Sequence, residues 1–276
     1  MPKSKPLLMK IALLSFDVEE FDMPFEYGGK PTMEEQIATS TNGLETIISI
    51  LDKYQAKVTF YCTGVYATAK PELIKSLSQK HEIASHNHYH SSHKKKDLFT
   101  SKAILEDITG QKVVGFRMPR MAPVSDADLV EAGYRYNASI NPTYLPGRYD
   151  YRHISRTFFT QNNLIHFPAS VSPTWRVPLF WIAFHNFPLQ YFFYLCKKVV
   201  ETDGYLHLYF HPWEFTDYTE LPNGAKYPFY LHRNNGKKML KRFDKLMAFL
   251  KREGFEFKTS KELLIPSTSH TSPRES

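Results

Sequence analysis

Short runs of β-forming residues alternate with helical patterns along the first half of the chain, and this alternation constrains the fold more than any other feature. Residues 10–16, 58–62, 82–85 and 113–117 have the composition of buried strands. A strand, a helix and a second strand in succession are typical of a parallel sheet with helices packed outside it. The predicted helices span residues 40–54 (with Ser40, Thr41 or Asn42 as the N-cap), 71–79, 101–109, 125–132 and 237–252, and residues 255–259 form a last strand.

Carboxylates follow the first predicted strand at its carboxyl end, which is where α/β folds place their chemistry. The run reads Asp17-Val18-Glu19-Glu20. In an extended chain Asp17 and Glu19 point to one face, so one carboxylate can bind a metal ion while the other accepts a proton. The alternative is an acidic loop that only caps a helix. Asp22 and Glu26 are further candidate acids.

A histidine-rich segment at residues 82–93 provides candidate metal ligands. His86 and His90 are four residues apart, a spacing that predicts one shared helical face. Two neutral imidazoles placed in this way can converge on one ion, and a third ligand is then expected from elsewhere in the chain. The alternative is a solvated, histidine-rich loop without a metal.

The length and the composition indicate a single folded domain. A chain of 276 residues with 42% apolar content can bury one large core. We expect a flexible N-terminus at residues 1–9 and a catalytic domain at residues 10–265. Residues 266–276 are rich in Ser, Thr and Pro without an apolar anchor, which predicts a disordered tail.

The sequence favours a cytoplasmic location. The apolar run at residues 7–16 is broken by Lys10 and is too short for a secretory signal, and no stretch is long enough to span a membrane. Cys62 and Cys196 cannot form a disulfide framework, which agrees with a reducing compartment. The formal charge of +7 is compatible with an acidic partner, but it is spread along the chain without a nucleic-acid motif. We therefore expect no nucleic acid among the partners.

Four segments together resemble the motifs of a known family. In chain order they are Ser15-Phe16-Asp17-Val18-Glu19, His86-Asn87-His88-Tyr89-His90, Phe116-Arg117-Met118-Pro119 and Leu206-His207-Leu208-Tyr209-Phe210-His211. Their order and spacing are similar to those of the polysaccharide deacetylases, the NodB-homology family also called carbohydrate esterase family 4. Each motif alone is weak evidence for the family. The four motifs in this order across residues 10–213 are strong evidence for it.

This resemblance implies a fold and a metal. The fold class is α/β, a distorted (β/α) barrel of the NodB-homology type, with its site at the carboxyl ends of the strands. The implied cofactor is one divalent ion. Zn²⁺ is the leading candidate, and Co²⁺, Ni²⁺ or Mn²⁺ are alternatives. Its implied ligands in this chain are Glu19, His86 and His90.

The resemblance also implies catalytic roles. Asp17 would be the catalytic base, Arg117 would hold Asp17 in place, and His211 would be the general acid that protonates the departing amine. By the same resemblance, the backbone N–H of Arg120 would help the metal to stabilise the oxyanion of the tetrahedral intermediate.

The chain departs from the family pattern at several positions. Val18 separates the two acids of the first motif, so Glu20 is a fallback ligand. Arg120 adds a second guanidinium that suits a phosphate or carboxylate on the substrate, or it is a surface residue that points away. Residues 136–141 lack the aspartate and the tryptophan of the fourth motif. The partner of His211 is therefore unassigned, and Trp213 is the predicted replacement for the groove tryptophan.

An aromatic-rich insertion spans residues 175–196. It is interpreted either as core packing or as a lid over the site. A third reading is a membrane contact in which Lys197 and Lys198 face anionic head groups. The last reading would place the protein at the inner face of the membrane and would suit a lipid-linked sugar.

The predicted function is a metal-dependent hydrolase. It removes an N-acyl group from an amino sugar of a cell-surface polysaccharide or its lipid-linked precursor. The expected acyl group is acetyl. One alternative is hydrolysis of a small non-sugar or cyclic amide on the same scaffold. The other alternative is a glycan-binding protein without catalysis.

Overall fold

The computed structural model describes residues 10–221 and 224–264. The predicted flexible N-terminus at residues 1–9 and the predicted tail at residues 266–276 lie outside the described residues. Within the described part, no helix has both the length and the apolar character needed to cross a membrane.

Parallel strands form the main sheet, as the alternating pattern predicts. The described strands are β1 (Lys10–Val18), β2 (Thr59–Cys62), β3 (Glu82–Ser85), β4 (Gly115–Phe116), β5 (Tyr136–Asn137), β6 (Tyr144–Leu145), β7 (Tyr149–Asp150), β8 (Phe159–Gln161), β9 (Leu164–His166), β10 (Tyr205–Phe210) and β11 (Phe255–Lys258). The spatial order is β10-β1-β2-β3-β4-β5-β9-β8, and β11 pairs with β1. Within this sheet the β8–β9 pairing is antiparallel, and β6 and β7 form a separate hairpin.

Helices cover the outside of the sheet. They are α1 (Met33–Tyr54), α2 (Gly64–Ala69), α3 (Pro71–Leu77), α4 (Lys95–Thr109), α5 (Asp126–Glu131), α6 (Trp181–Asn186), α7 (Leu189–Asp203), α8 (Phe229–His232) and α9 (Lys237–Arg252). The prediction of α9 is correct in both bounds. The predicted start of α1 is wrong, because Thr32 and Glu35 form a capping box that begins the helix at Met33.

The sheet curls toward a barrel, but β9 and β10 do not pair directly to close it. The chain after β9 bridges that gap, because the N–H of Ser170 donates to the carbonyl oxygen of His207 over 2.9 Å. The Ser170 hydroxyl in turn accepts the N–H of His207 over 2.8 Å. This is the predicted distorted (β/α) barrel.

Strand alternation divides the buried side chains between two faces. Ala12, Leu14 and Phe16 of β1 join the large apolar cluster, which also contains Leu44 of α1 and Phe243 of α9. Asp17 has an odd number, so its side chain points to the opposite face of β1, which is the barrel interior. The core therefore lies between sheet and helices, and the interior is left for polar groups.

Core packing is the correct interpretation for part of the aromatic-rich segment. Phe180, Phe184 and Phe192 are buried in the main cluster. Trp175 is 84% exposed, so the segment is not uniformly core. Lys197 and Lys198 pair with Glu253 and Glu201 respectively, and these contacts give no support to a membrane surface.

The carboxyl ends of five adjacent parallel strands lie along one edge of the sheet. The residues at or just beyond these ends are Glu19 after β1, Thr63 after β2, His86 after β3, Arg117 after β4 and His211 after β10. Neighbouring strands lie about 4.8 Å apart, so residues distant in sequence become neighbours there.

Candidate active site

Three side chains bring one ligand atom each to a common point at this edge. The ligand atoms of Glu19, His86 and His90 all lie within 4.8 Å of one another. Glu19 Oε2 is 3.1 Å from Nε2 of His86 and 3.1 Å from Nε2 of His90. All three side chains are at least nine-tenths buried, so the cluster is part of the folded interior.

Both imidazoles have their other nitrogen fixed by an acceptor. Nδ1 of His86 donates to the carbonyl oxygen of Arg117 over 2.9 Å, and Nδ1 of His90 lies 2.8 Å from Asp22 Oδ1. Because these oxygens only accept, each Nδ1 carries a proton, and Nε2 is the nitrogen that each ring presents to Glu19 and to a bound cation. Two imidazole nitrogens and one carboxylate oxygen, oriented by outer hydrogen bonds, are a donor set of catalytic zinc sites. The residues therefore fit a divalent cation.

The charges at the cluster also favour a cation. Burial by itself lowers the pKa of His90, but the carboxylates of Glu19, Asp22 and Glu20 outweigh burial and raise it to about 9. Burial raises the pKa of Glu19, but the His90 and His86 imidazoles outweigh this and hold the pKa well below its usual range. A cation bound here would take the place of protons on the imidazoles.

The two histidines lie on an irregular loop. The prediction that His86 and His90 share one helical face is wrong, because residues 86–94 have no regular secondary structure. Asn87 turns the chain with a φ of 65°, and its side-chain amide donates to the carbonyl oxygens of Tyr89 and Ser92, each over 2.9 Å. The loop rather than a helix returns the second imidazole to the first.

Glu20, the predicted fallback ligand, holds this loop instead. Its carboxylate accepts the hydroxyl of Thr63 over 2.7 Å and the backbone N–H of His90 over 2.8 Å. Both of its oxygens are thus engaged away from the imidazole nitrogens, and the geometry favours Glu19 as the carboxylate ligand.

Arg117 holds Asp17 in a buried ion pair. Nη1 donates to Asp17 Oδ1 over 2.6 Å, and Nε donates to the carbonyl oxygen of Ala138 over 3.1 Å. Nη2 donates over 3.1 Å to Nε2 of His207. Burial and the Arg117 charge lower the pKa of His207 to about 3, so its neutral ring can accept that bond. The guanidinium is therefore fixed on three sides.

The second oxygen of Asp17 faces the reaction centre. Oδ2 lies 3.9 Å from Nε2 of His86 and 3.8 Å from Nε2 of His211. Asp17 thus lies between the candidate metal ligand His86 and the candidate acid His211. Sequence reasoning did not assign His207, although strand alternation puts it on the face of β10 that carries His211.

Glu214 is the partner of His211 that sequence analysis left unassigned. Glu214 is not a solvated surface acid, because its side chain is completely buried. One oxygen accepts from the N–H and lies 3.0 Å from Nδ1 of His211, and the other lies 3.0 Å from Nε2 of His185. The sequence does contain a signal for this contact. Pro212 and Glu214, the first and third residues after His211, predict a turn that folds the Glu214 carboxylate back toward His211.

Glu214 also sets the charge of His211. Burial lowers the pKa of His211, but the hydrogen bond that its Nδ1 donates to Glu214 and the charges of Glu19 and Asp17 raise the pKa above its ordinary value. This shift favours the protonated form that a general acid requires.

A cavity of about 410 Å³ opens in front of these groups. Trp213, predicted to bind substrate, lines it but is 3% exposed, and its indole N–H donates to Glu19 Oε1 over 3.0 Å. Trp213 thus also positions a candidate ligand. The ring of Trp181, from the aromatic-rich segment, lies edge-on to His211 with ring centroids 5.4 Å apart.

Arg120 is at the cavity but is already paired. Its guanidinium contacts the carboxylates of Asp22, over 2.9 Å, and Glu26. The prediction that Arg120 binds an anionic group of the substrate is therefore weakened, because two carboxylates compensate its charge. Its observed contact is with Asp22, the residue that orients His90.

The curled (β/α) sheet brings three features together at its strand ends. They are a His-His-carboxylate cluster, an aspartate bound by an arginine and a histidine bound by a glutamate. This combination defines a hydrolase-type active site. Residues 25–137 match the polysaccharide deacetylase family model, and residues 138–265 match a domain of unknown function, DUF3473. The first of these matches assigns residues 25–137 to the polysaccharide deacetylase family. No curated protein matches it by sequence.

Solved structures share the fold at low sequence identity. A putative polysaccharide deacetylase from Mycobacterium smegmatis is 18% identical, with 94% of this chain and 91% of that chain covered and a TM-score of 0.62. The Puue allantoinase is 14% identical, with coverage of 94% and 90% and a TM-score of 0.60. A family 4 pseudoenzyme from Bacillus anthracis is 14% identical, with coverage of 93% and 66% and a TM-score of 0.52. The fold alone therefore does not decide the substrate.

Proposed function

We propose that this protein is a metal-dependent deacetylase that removes the N-acetyl group from an amino sugar of a cell-surface glycan or its lipid-linked precursor. The observation that carries this proposal is the spacing around Asp17. Its free oxygen lies 3.9 Å from a candidate metal ligand, His86, and 3.8 Å from His211. Base, cation site and acid thus surround one point.

Glu19, His86 and His90 would hold the cation, and Zn²⁺ is the first choice for this donor set. When bound, such an ion polarises the acyl oxygen and lowers the pKa of water to about 7. Asp22 and the Arg117 carbonyl keep the two imidazoles oriented, since each accepts the bond from an Nδ1.

Proton transfer would be divided between two residues. Asp17, held in place by Arg117, accepts the proton of the attacking water. His211 then donates its Nε2 proton to the departing amine, which would otherwise leave as a strongly basic amide anion. The backbone N–H of Arg120 is the proposed donor to the oxyanion.

The lining of the cavity supports a sugar as the substrate. Trp181, Trp213, Tyr149 and Tyr209 contribute aromatic rings, and such rings pair an apolar face with a polar edge in the way sugars require. The cytoplasmic location, with contact at the inner membrane face as the alternative, stays a prediction of the sequence.

Acetate release tests the proposal. The purified protein would be incubated with N-acetylated monosaccharides, chitin oligomers, and nucleotide- and lipid-linked N-acetylated sugars, each with and without chelator. Allantoin belongs in the same panel, because hydrolysis of a cyclic amide without sugar turnover would support the alternative substrate class. Binding of a glycan without acetate release under any metal would support a non-catalytic role.

A further inference from the structure

The candidate active-site cavity is lined by an arginine whose charge nothing in the described chain compensates. This residue is Arg148, and we propose that it binds an anionic group of the substrate, a phosphate or a carboxylate. The inference rests on the proposed function and deepens it, because it narrows the substrate to an acidic amino sugar.

Arg148 is free to bind a ligand. It lines the cavity of about 410 Å³ together with Asp17 and His211, and it is exposed. In the part of the chain that the structure describes, its guanidinium has no ion pair and no hydrogen bond. Its five N–H donors lie in a planar fork that matches the oxygens of a phosphate or a carboxylate.

The acids that line the cavity are already compensated. They pair with cationic or imidazole groups: Asp17 with Arg117, Asp22 and Glu26 with Arg120, and Glu19 with His86 and His90. A divalent cation at the candidate metal site would add further positive charge. Arg148 is therefore an excess positive charge, and the cavity favours an anionic ligand over a neutral one.

The charge of Arg148 acts inside the cavity. Tyr27 also lines the cavity, but it comes from the segment that follows β1. Burial and the neighbouring Tyr230 raise the pKa of Tyr27, and the Arg148 charge opposes this rise. The guanidinium is thus within electrostatic reach of a second part of the cavity wall.

The backbone of Arg148 is fixed by a tight turn between β6 and β7. The turn consists of Leu145, Pro146, Gly147 and Arg148, and the N–H of Arg148 donates to the carbonyl oxygen of Leu145 over 3.0 Å. Pro146 in the second position and Gly147, with a φ of 74°, in the third are the residues that a type II turn favours. This anchored backbone limits the entropy that is lost when the side chain binds a ligand.

The hairpin is connected to the catalytic residues through one amide. Nδ2 of Asn141 donates to the hydroxyl of Tyr149 over 3.1 Å and to the hydroxyl of Tyr209 over 3.0 Å. The Tyr209 ring lies edge-on to the imidazole of His211, with ring centroids 6.0 Å apart. Because Arg148 and His211 line the same cavity, one substrate can contact both.

The test compares the binding of sugars with and without an anionic group. Calorimetry is performed with deacetylated sugars, which cannot release acetate. They are glucosamine, glucosamine 1-phosphate and muramic acid, which carries a carboxylate. The wild type is compared with Arg148→Gln and with Arg148→Lys, which keeps the charge. Arg152→Gln, which changes an exposed arginine paired with Asp150 outside the cavity, is the matched control.

We expect the wild type and Arg152→Gln to bind an anionic sugar more tightly than glucosamine, with a preference that weakens as the salt concentration rises. This preference falls about fivefold in Arg148→Gln, and Arg148→Lys keeps part of it. Preference for the 1-phosphate identifies a phosphate, as in nucleotide- or lipid-linked sugars. Preference for muramic acid identifies a carboxylate of an acidic glycan.

Three results overturn the inference: equal binding of neutral and anionic sugars, an unchanged preference in Arg148→Gln, or no binding of any sugar. Acetate release by the wild type from N-acetylglucosamine and its 1-phosphate is scored separately. A preference that depends on Arg148 without acetate release from any N-acetylated sugar refutes the proposed function alone. Acetate release without such a preference refutes the anion site alone.

Discussion

Glu214 Oε1 accepts the backbone N–H of His211 over 2.6 Å and lies 3.0 Å from Nδ1 of the same residue. One carboxylate oxygen therefore fixes both the main chain and the ring of the candidate acid. The other oxygen faces His185, so the carboxylate cannot rotate away.

Replacing Glu214 by Gln is expected to move the pH profile. The Glu214 hydrogen bond raises the pKa of His211, and a general acid works only while it is protonated. This requirement gives the profile an alkaline limb, on which activity is lost as the pH rises through the raised pKa of His211. Glu214→Gln lowers the pKa, so the alkaline limb of kcat shifts to lower pH and kcat at neutral pH falls about tenfold.

The matched control is Glu220→Gln, an exposed acid six residues further along the chain. It should keep the wild-type profile. An alkaline limb that stays in place in Glu214→Gln would mean that the carboxylate does not set the protonation of His211.

Replacing His211 by Ala should distinguish leaving groups. Loss of a general acid costs about 10²- to 10⁴-fold in kcat when the leaving amine must be protonated. An activated ester such as 4-nitrophenyl acetate needs no such proton, so its hydrolysis falls much less. Rates on an N-acetyl sugar and on the ester are compared, with His232→Ala as the control. Equal losses on both substrates would assign His211 to binding instead.

Metal content should separate Glu19 from Glu20. Glu19 Oε2 lies 3.1 Å from both ligand nitrogens, whereas Glu20 accepts bonds from Thr63 and His90. Glu19→Gln is expected to lose most of its bound zinc and its chelator-sensitive activity, and Glu20→Gln is expected to keep zinc. Mass spectrometry of the purified variants gives the metal per chain, and the opposite result would make Glu20 the ligand.

Arg117→Met should cost far more stability than a surface arginine substitution. It leaves the Asp17 carboxylate buried without its counter-charge, at a cost of about 3–5 kcal/mol in the free energy of unfolding. Arg152→Met breaks a solvent-exposed pair with Asp150 that water screens, so it should leave the free energy of unfolding nearly unchanged. Urea unfolding measures both, and similar values for the two variants would contradict the structural role of Arg117.

Strand positions were predictable because strand ends carry their own signals. The runs before Asp17 and His86 are short, apolar and β-rich, and the residues after them point into the edge where parallel strands meet. The grouping of Asp17, Glu19 and His86 follows from the parallel topology, whereas His211 was placed with them only by the resemblance to the family.

Local conformation was less accessible from sequence. A spacing of four between His86 and His90 fits a helix, but a loop turned by Asn87 gives the same convergence, and periodicity cannot separate the two. His185 pairs with Glu214 from a different helix, a contact across 29 positions that no short-range pattern encodes.

The boundary between the two matched segments, after residue 137, falls at the last residue of β5 in the middle of the sheet. One segment contributes the imidazoles that would hold the cation, and the other contributes His211, Glu214 and the strand that flanks β1. A cut after residue 137 would therefore leave neither piece with all the residues of the candidate site.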